Sequence, residues 1–337
     1  MINPILSPVL PHYPVMLDEV IKICSPKNGG IFVDCTFGGG GYSKKILKFS
    51  KTKVIALDRD KFILNISKEL QKKYPNRFYF HQKKFSEVNT ILKDQLADGV
   101  VFDLGLSSIQ LNNLKRGFSF YSKESLDMSM GLTTISAEQV INNFSEQKLK
   151  SIIKILGEEK DASRIAKNIV KTRLIRKITK VDQLVEVILK SKKKDYSKKI
   201  NPSTKTFQAL RIFVNKEITE LIEGIINATK ILRPGGKILI VSFHSIEDKI
   251  VKFFFNNFSS NRSISSRYFP ENKNLDDSLF DSYKNKVFTP SNIEIIKNSR
   301  SRSAKLRYAT RSQNKFNYPN DLVNKFKKYL EIESLYD

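Results

Sequence analysis

Three features of this 337-residue sequence could act together on a small molecule. "VDCTFGGGGYS" (33–43) sets Gly38, Gly39, Gly40 and Gly41 side by side, four of only 14 glycines in the chain. With no Cβ in the way, such a run can turn sharply and bring the main chain close to a bound ligand. Asp58 lies twenty residues after Gly38 and closes an apolar run. A carboxylate there can accept hydrogen bonds from both hydroxyls of an adenosine ribose. Asp103, in "FDLGLSSIQL", ends another apolar run, where it can either act on a substrate or cap the following loop. Gln110, seven residues later, can hydrogen-bond a base edge or a ligand amide, although a lone glutamine is more often a surface residue. NAD and S-adenosylmethionine both call for a glycine loop and a ribose carboxylate. The dinucleotide pattern also needs a third glycine, and Ser43 stands three residues after Gly40, so NAD is matched only in part.

These residues need a sheet to hold them. "GIFVDC" (30–35), "KVIALD" (53–58), "RFYFHQ" (77–82) and "DGVVFDLG" (98–105) are short, rich in β-branched or aromatic residues and bounded by turn residues. They read as buried parallel strands. "YSKKILKF" between the first two, and the segment after Asp60, carry helical patterns, which implies βαβ units. From about Asn113 to Ser203 the rhythm turns helical. Ser136 with Gln139 forms a capping-box signal, and Asp161 and Asp182 read as N-caps. A long helix is expected from Thr204 to Leu232, with Phe207, Leu210, Val214, Ile218, Leu221, Ile222 and Ile225 on one face. "KILIVSF" (237–243) is a further buried strand, "SIEDKIVKFFFNNF" a helix, and 259–285 a long loop. "KVF" (286–288) and "AKLRYAT" (304–310) suit an edge pair. The expected boundaries are 1–112 with 206–337 for the sheet domain and 113–205 for an inserted helical subdomain.

Lys+Arg 59 against Asp+Glu 34 gives a net charge of +25, which points to a polyanionic partner, nucleic acid ahead of an anionic membrane. The longest apolar runs are far too short to span a bilayer. Two cysteines make neither a disulfide framework nor a metal set, and the proline-rich start lacks the pattern of a signal peptide. A cytoplasmic location, no membrane contact and no metal are expected. Oligomeric state, a dimer included, is not encoded legibly.

Ten motifs in order, among them "HYPVMLDEV" (12–20), "VDCTFGGGGYS", "ALDRD" (56–60), "DLGLSSIQL" (103–111), "LDMSM" (126–130), "NPSTKTFQALRIFVNKE" (201–217) and "GGKILIVSFHSIEDKIVKFF" (235–254), run from His12 to about Tyr308. Together they resemble the ribosomal RNA small subunit methyltransferase H family, 16S rRNA cytosine-N4 methyltransferases. The resemblance implies a Rossmann-like class I S-adenosylmethionine-dependent methyltransferase sheet with an inserted all-helical, RNA-recognising subdomain. It implies S-adenosyl-L-methionine as cofactor, 16S rRNA or the small ribosomal subunit as partner, and N4 of a cytidine in the decoding region as target. It places Gly40, Gly41 and Tyr42 against the methionine part of the cofactor, Asp58 on the ribose and Phe85 on the adenine, with Asp103 and Gln110 completing the pocket. Tyr42 stands where the family usually has His, so only a backbone contact transfers there. Ser129 and Lys205 replace family arginines, removing a bidentate fork at each place.

For such a reaction Asp103 is the candidate catalytic group, accepting the amino hydrogens of the target base. Phe118 and Phe120 in "RGFSF" could stack on that base or pack the helical insert. The runs "KSKKK" (190–194), "KK" (198–199) and "SRSRSAKLR" (299–307) could grip phosphates. A catalytically inactive RNA-binding or ribosome-assembly factor is the alternative. His244, Ser245 and Asp248 read as a helix start, Ser245 with Asp248 making a capping box, rather than a hydrolase triad. Cys35 lacks a basic neighbour to lower its pKa and reads as a core residue.

Overall fold

The computed structural model describes residues 14–92, 96–192, 201–261 and 278–336. Within them the apolar runs become strands β1 (Gly30–Asp34), β2 (Thr52–Leu57), β3 (Phe78–His81), β4 (Ala97–Asp103) and β5 (Leu232–Ser242), all parallel. β6 (Lys305–Thr310) lies antiparallel against β5, and Phe288 bridges to Leu306 beyond it, which is the edge pair expected from "KVF" and "AKLRYAT". The order is β3-β2-β1-β4-β5-β6. After β1 the chain adds β2 and β3 on one side, then returns to place β4 on the other. The topological switch point therefore falls between β1 and β4, as in a doubly wound, Rossmann-like sheet.

The chain forms two compact units. The sheet unit holds residues up to Ile109 and Asn227–Tyr318. Its helices α1 (Leu17–Cys24), α2 (Gly41–Ile46) and α3 (Leu64–Lys73) cover one face, where Val20, Ile46 and Leu70 are buried with Phe32, Val54, Phe78 and Val101 of the strands. Fully burying side chains of this size contributes about 1.5–3 kcal/mol each. α4 (Ser108–Asn112) leads into the second unit, Gln110–Ile226 with Pro319–Asp337.

That unit is helical: α5 (Ala137–Asn143), α6 (Glu146–Leu156), α7 (Ala162–Ile175), α8 (Val181–Ser191) and α9 (Thr204–Asn215), with α10 (Glu217–Ile231) carrying the chain back to β5. α6 packs on α7 and α9, burying Leu149, Ile153, Ile165, Ile169 and Leu210. α11 (Ser245–Asn257) and α12 (Asn292–Lys297) belong to the sheet unit, and α13 (Asn320–Glu333) to the helical one.

Several expectations need correction. The helical unit takes in α9, most of α10 and the C-terminal helix, so 113–205 is too narrow and 319–337 does not go with the sheet. The long helix of 204–232 is two, broken at Lys216, whose φ of 49° is left-handed. Asp182 is inside α8, which starts at Val181, and Gln183 Oε1 accepts the Lys180 N–H at 3.2 Å at its start. α11 is capped by His244 with Glu247, not by Ser245 with Asp248. The Ser136–Gln139 box forms as expected, with hydrogen bonds of 2.9 and 3.2 Å. Of the expected 259–285 loop, 262–277 lies outside the described residues, as do Lys193, Lys194, Lys198 and Lys199 of the basic runs. Among the described residues no helix is long and apolar enough to cross a membrane.

Candidate active site

β1 ends on Asp34, and the glycine run follows at the carboxyl edge of the sheet. Cys35 N–H still bonds the Val101 carbonyl (2.9 Å) and Phe37 N–H the Leu57 carbonyl (3.0 Å), so the loop starts tied to β4 and β2 on either side of β1. Gly40 N–H then turns back onto the Phe37 carbonyl at 2.7 Å. Gly40 has φ 72°, and a Cβ there would sit 2.8 Å from the Phe37 ring. Gly41 is equally committed, since its Cβ would meet the Pro14 ring at 2.6 Å. The main chain fits this corner only without side chains.

Asp58 is bound into the same loop. Its Oδ2 accepts the Gly38 N–H at 2.8 Å and its Oδ1 the Asp60 N–H at 2.9 Å. Each oxygen keeps a further lone pair, enough for a pair of vicinal hydroxyls. Burial pushes its carboxyl above the usual range, against the hydrogen bonds from Asp60 and Gly38.

Asp103 closes β4 beside the switch point. Its N–H donates to Thr36 Oγ1 at 2.7 Å, while carboxyl Oδ1 is buried and has no hydrogen-bond partner among the described residues. Burial, chiefly, holds this carboxyl well above the ordinary range; the charges of Asp34, Glu247 and Glu294 push the same way, and the Tyr42 hydroxyl pulls it down. An orphaned acceptor at a strand end is what a bound donor group would satisfy.

Asp34 escaped the sequence reading although it sits inside the quoted motif. It is 1% exposed, accepts from Ser43 Oγ at 2.6 Å and from Thr36 N–H at 3.3 Å, and so links the loop helix α2 to the turn that holds Asp103. Burial raises its carboxyl to about 6. The signal was an acid ending a fully apolar strand, a group that must be held by donors if it is buried.

The remaining expected residues fall as follows. The Tyr42 ring is buried and its hydroxyl donates to the Val15 carbonyl, leaving the backbone as what it offers a ligand. Phe85 is half-buried, edge-on to Phe102 with centroids 5.4 Å apart. Gln110 is buried and is the first residue of the helical unit, whereas all the other candidates lie in the sheet unit. Phe118 is buried under Arg116 and is not available to stack on a base. Phe120 is half-buried between Tyr121 and Phe207. Ser129 bonds Asp127 (2.8 Å) and Lys205 the Glu158 carbonyl (2.8 Å). Burial pushes the Cys35 thiol well up, so it stays protonated and inert. His244 Nε2 is buried 3.1 Å from Glu247 Oε1 but out of hydrogen-bond geometry, and Asp248 pairs with Arg307 (2.7 Å) and Lys305 (2.8 Å); these residues serve helix and strand anchoring, not a triad.

The sequence pattern of the MraW methylase family matches residues 9–312. The proteins named ribosomal RNA small subunit methyltransferase H from Ehrlichia canis (strain Jake) and Rickettsia massiliae (strain Mtu5) are each 42% identical over 300 residues. The alignments cover 88% of this chain and 98% and 97% of those relatives. Among solved structures, an rRNA methylase from Streptococcus thermophilus covers 87% of this chain and 96% of its own at 10% identity, with a TM-score of 0.38. With a glycine-floored, carboxylate-edged switch point and a family pattern running through both units, the chain belongs to the MraW methylase family of methyltransferases.

Proposed function

We propose that this chain methylates the N4 amino group of a cytidine in the decoding region of 16S rRNA, with S-adenosyl-L-methionine as methyl donor and in the cytoplasm. Support comes from family membership, from the small-subunit rRNA in the relatives' names, and from the +25 charge, which suits a polyanionic substrate. The observation that carries the chemistry is Asp103 Oδ1, unsatisfied among the described residues, beside a glycine loop whose corner admits no Cβ.

The residues present fit the cofactor. Gly40 and Gly41 offer backbone to its methionine end, Asp58 keeps acceptors for its ribose, and the half-exposed Phe85 ring offers a face for its adenine. When bound, the cofactor supplies a methyl group on a sulfonium, and the rest falls to the protein. Most of the rate comes from holding nitrogen and methyl in line, without water between them. Cytosine N4 is a weak nucleophile because its lone pair is delocalised into the ring. Asp103 accepts an N4 hydrogen bond, lets the nitrogen rehybridise, and takes the proton released as the N–C bond forms. A carboxyl raised by burial is a stronger base once ionised.

Isothermal titration with S-adenosylmethionine and with NAD⁺ tests the cofactor, and binding of the first alone is expected. Mass mapping of small-subunit rRNA from a deletion strain tests the reaction. One cytidine should lose a single methyl mass and regain it on complementation; an unchanged map overturns the proposal.

A further inference from the structure

The helical unit carries a surface that its own packing does not explain. From Arg164 to Lys180 the sequence has seven basic residues and no acidic one. All but Arg173 are exposed, and Arg173 is held by the Ile141 carbonyl at 2.6 Å. In the middle of this stretch Leu174 and Ile175, at the C-terminal end of α7, are 80% and 91% exposed. Cations in a last helical turn do favour the macrodipole, by about 0.3–1 kcal/mol. That accounts for a cation or two, not for two adjacent aliphatic side chains left in water between Arg173 and Arg176.

Beside this tip a cleft of about 420 Å³ opens between the end of α7 and α8, within the roughly 300–1,000 Å³ usual for ligand clefts. Its walls include Ile175, Arg176, Lys177, Gln183 and Lys190. Among the described residues Glu186 is the one acid on the wall, and Lys190 pairs with it at 2.6 Å. The surface is thus apolar at its centre and cationic around it. An unpaired RNA strand has the complementary make-up, since its phosphates seek the cations while a splayed base covers apolar side chains.

We infer that the α7–α8 cleft with its Leu174–Ile175 tip is a docking surface for single-stranded RNA. The inference deepens the proposed function, on which it rests for the identity of the RNA. Arg176 and Lys177 take phosphates; Leu174 and Ile175 lie against a base.

The test is equilibrium binding of the full chain to a single-stranded small-subunit rRNA fragment, by fluorescence anisotropy over a salt series. Arg176→Gln with Lys177→Gln should reduce the slope of log affinity against log salt by about 1.4, some 0.7 for each phosphate that is no longer neutralised. Leu174→Ser with Ile175→Ser should weaken binding about tenfold, through loss of apolar contact with a base, and leave the slope intact. These side chains are exposed, so both variants should keep the wild-type melting temperature. Unchanged affinity and slope in both overturn the inference. So does normal binding to free RNA when binding to assembled subunits disappears, because the occupant is then a ribosomal protein. Calorimetry with S-adenosylmethionine separates the two proposals: failure of the wild type to bind it sinks the methyltransferase reading and leaves this surface standing.

Discussion

Three carboxylates crowd the end of the sheet, and their partners set their roles. Asp34 is consumed by Ser43 and Thr36, Asp58 is half-used by the loop, and Asp103 keeps an oxygen without a partner among the described residues. If Asp103 is the acceptor, Asp103→Asn should cut the saturated methylation rate by about 10²–10⁴, the usual worth of a positioned base, with cofactor affinity nearly unchanged. Because its carboxyl is raised and must be ionised to accept a proton, the wild-type rate should climb as pH rises through its ionisation. The Asn variant should lose that limb. Affinity that collapses while the rate persists would assign Asp103 to cofactor binding instead. Asp58→Asn, which keeps the shape and removes the charge, should weaken S-adenosylmethionine binding about 10- to 150-fold, the worth of a hydrogen bond to a charged group. Gly40→Ala must place a Cβ against the Phe37 ring at a φ of 72°, costing about 1–3 kcal/mol and visible as a lowered melting temperature. The glycines and Asp58 were legible because their spacing along the sequence is their chemistry. Asp34 was not, because its importance lies in being buried among donors contributed by residues two and nine positions away.

Elements were legible where a local signal exists. Strands β1 to β4 and the Ser136 cap were each announced by a few adjacent residues. The break between α9 and α10 had no such mark, since Lys216 adopts a left-handed φ without Gly or Pro nearby, and the apolar spacing runs on across it. What completes that break is distant in sequence. Glu333, the last residue of α13, accepts the Ile218 N–H (2.9 Å), the Thr219 N–H (2.7 Å) and the Thr219 hydroxyl (2.6 Å), capping the orphaned donors at the start of α10. This explains why the C-terminal helix joins the helical unit rather than the sheet, an assignment no local pattern could supply. Burial, which outweighs those donors, raises the Glu333 carboxyl from 4.5 to about 8. The folded state therefore holds this proton where the unfolded state has released it. Stability is largest below the unfolded value and falls as pH rises through that window, by about 1.4 kcal/mol per pH unit at most. Melting temperatures over the window should decline in the wild type and decline less in Glu333→Gln. Parallel curves would mean that the group is ionised throughout.

For the molecule as a whole, charge is the property that composition alone displays. An excess of +25 exceeds what local ion pairing uses, and stretches such as Arg164–Lys180 contain no acid at all. Solubility alone does not require so large an imbalance, whereas a polyphosphate partner does. If about six phosphates are contacted, each contributing about 0.7 to the slope for a single strand, a fourfold rise in salt should lower RNA affinity by roughly 10²–10³. S-adenosylmethionine, a small ligand that on the proposed reading meets backbone and one ribose carboxylate, should lose far less over the same range. Parallel titrations of the two ligands, in one buffer series, check this directly. A steep slope for RNA beside a shallow one for the cofactor separates the long-range field of the chain from the short-range contacts of its sheet edge. Equal and shallow slopes would mean that the lysines and arginines merely solvate the surface, and the polyanion argument would fall with them.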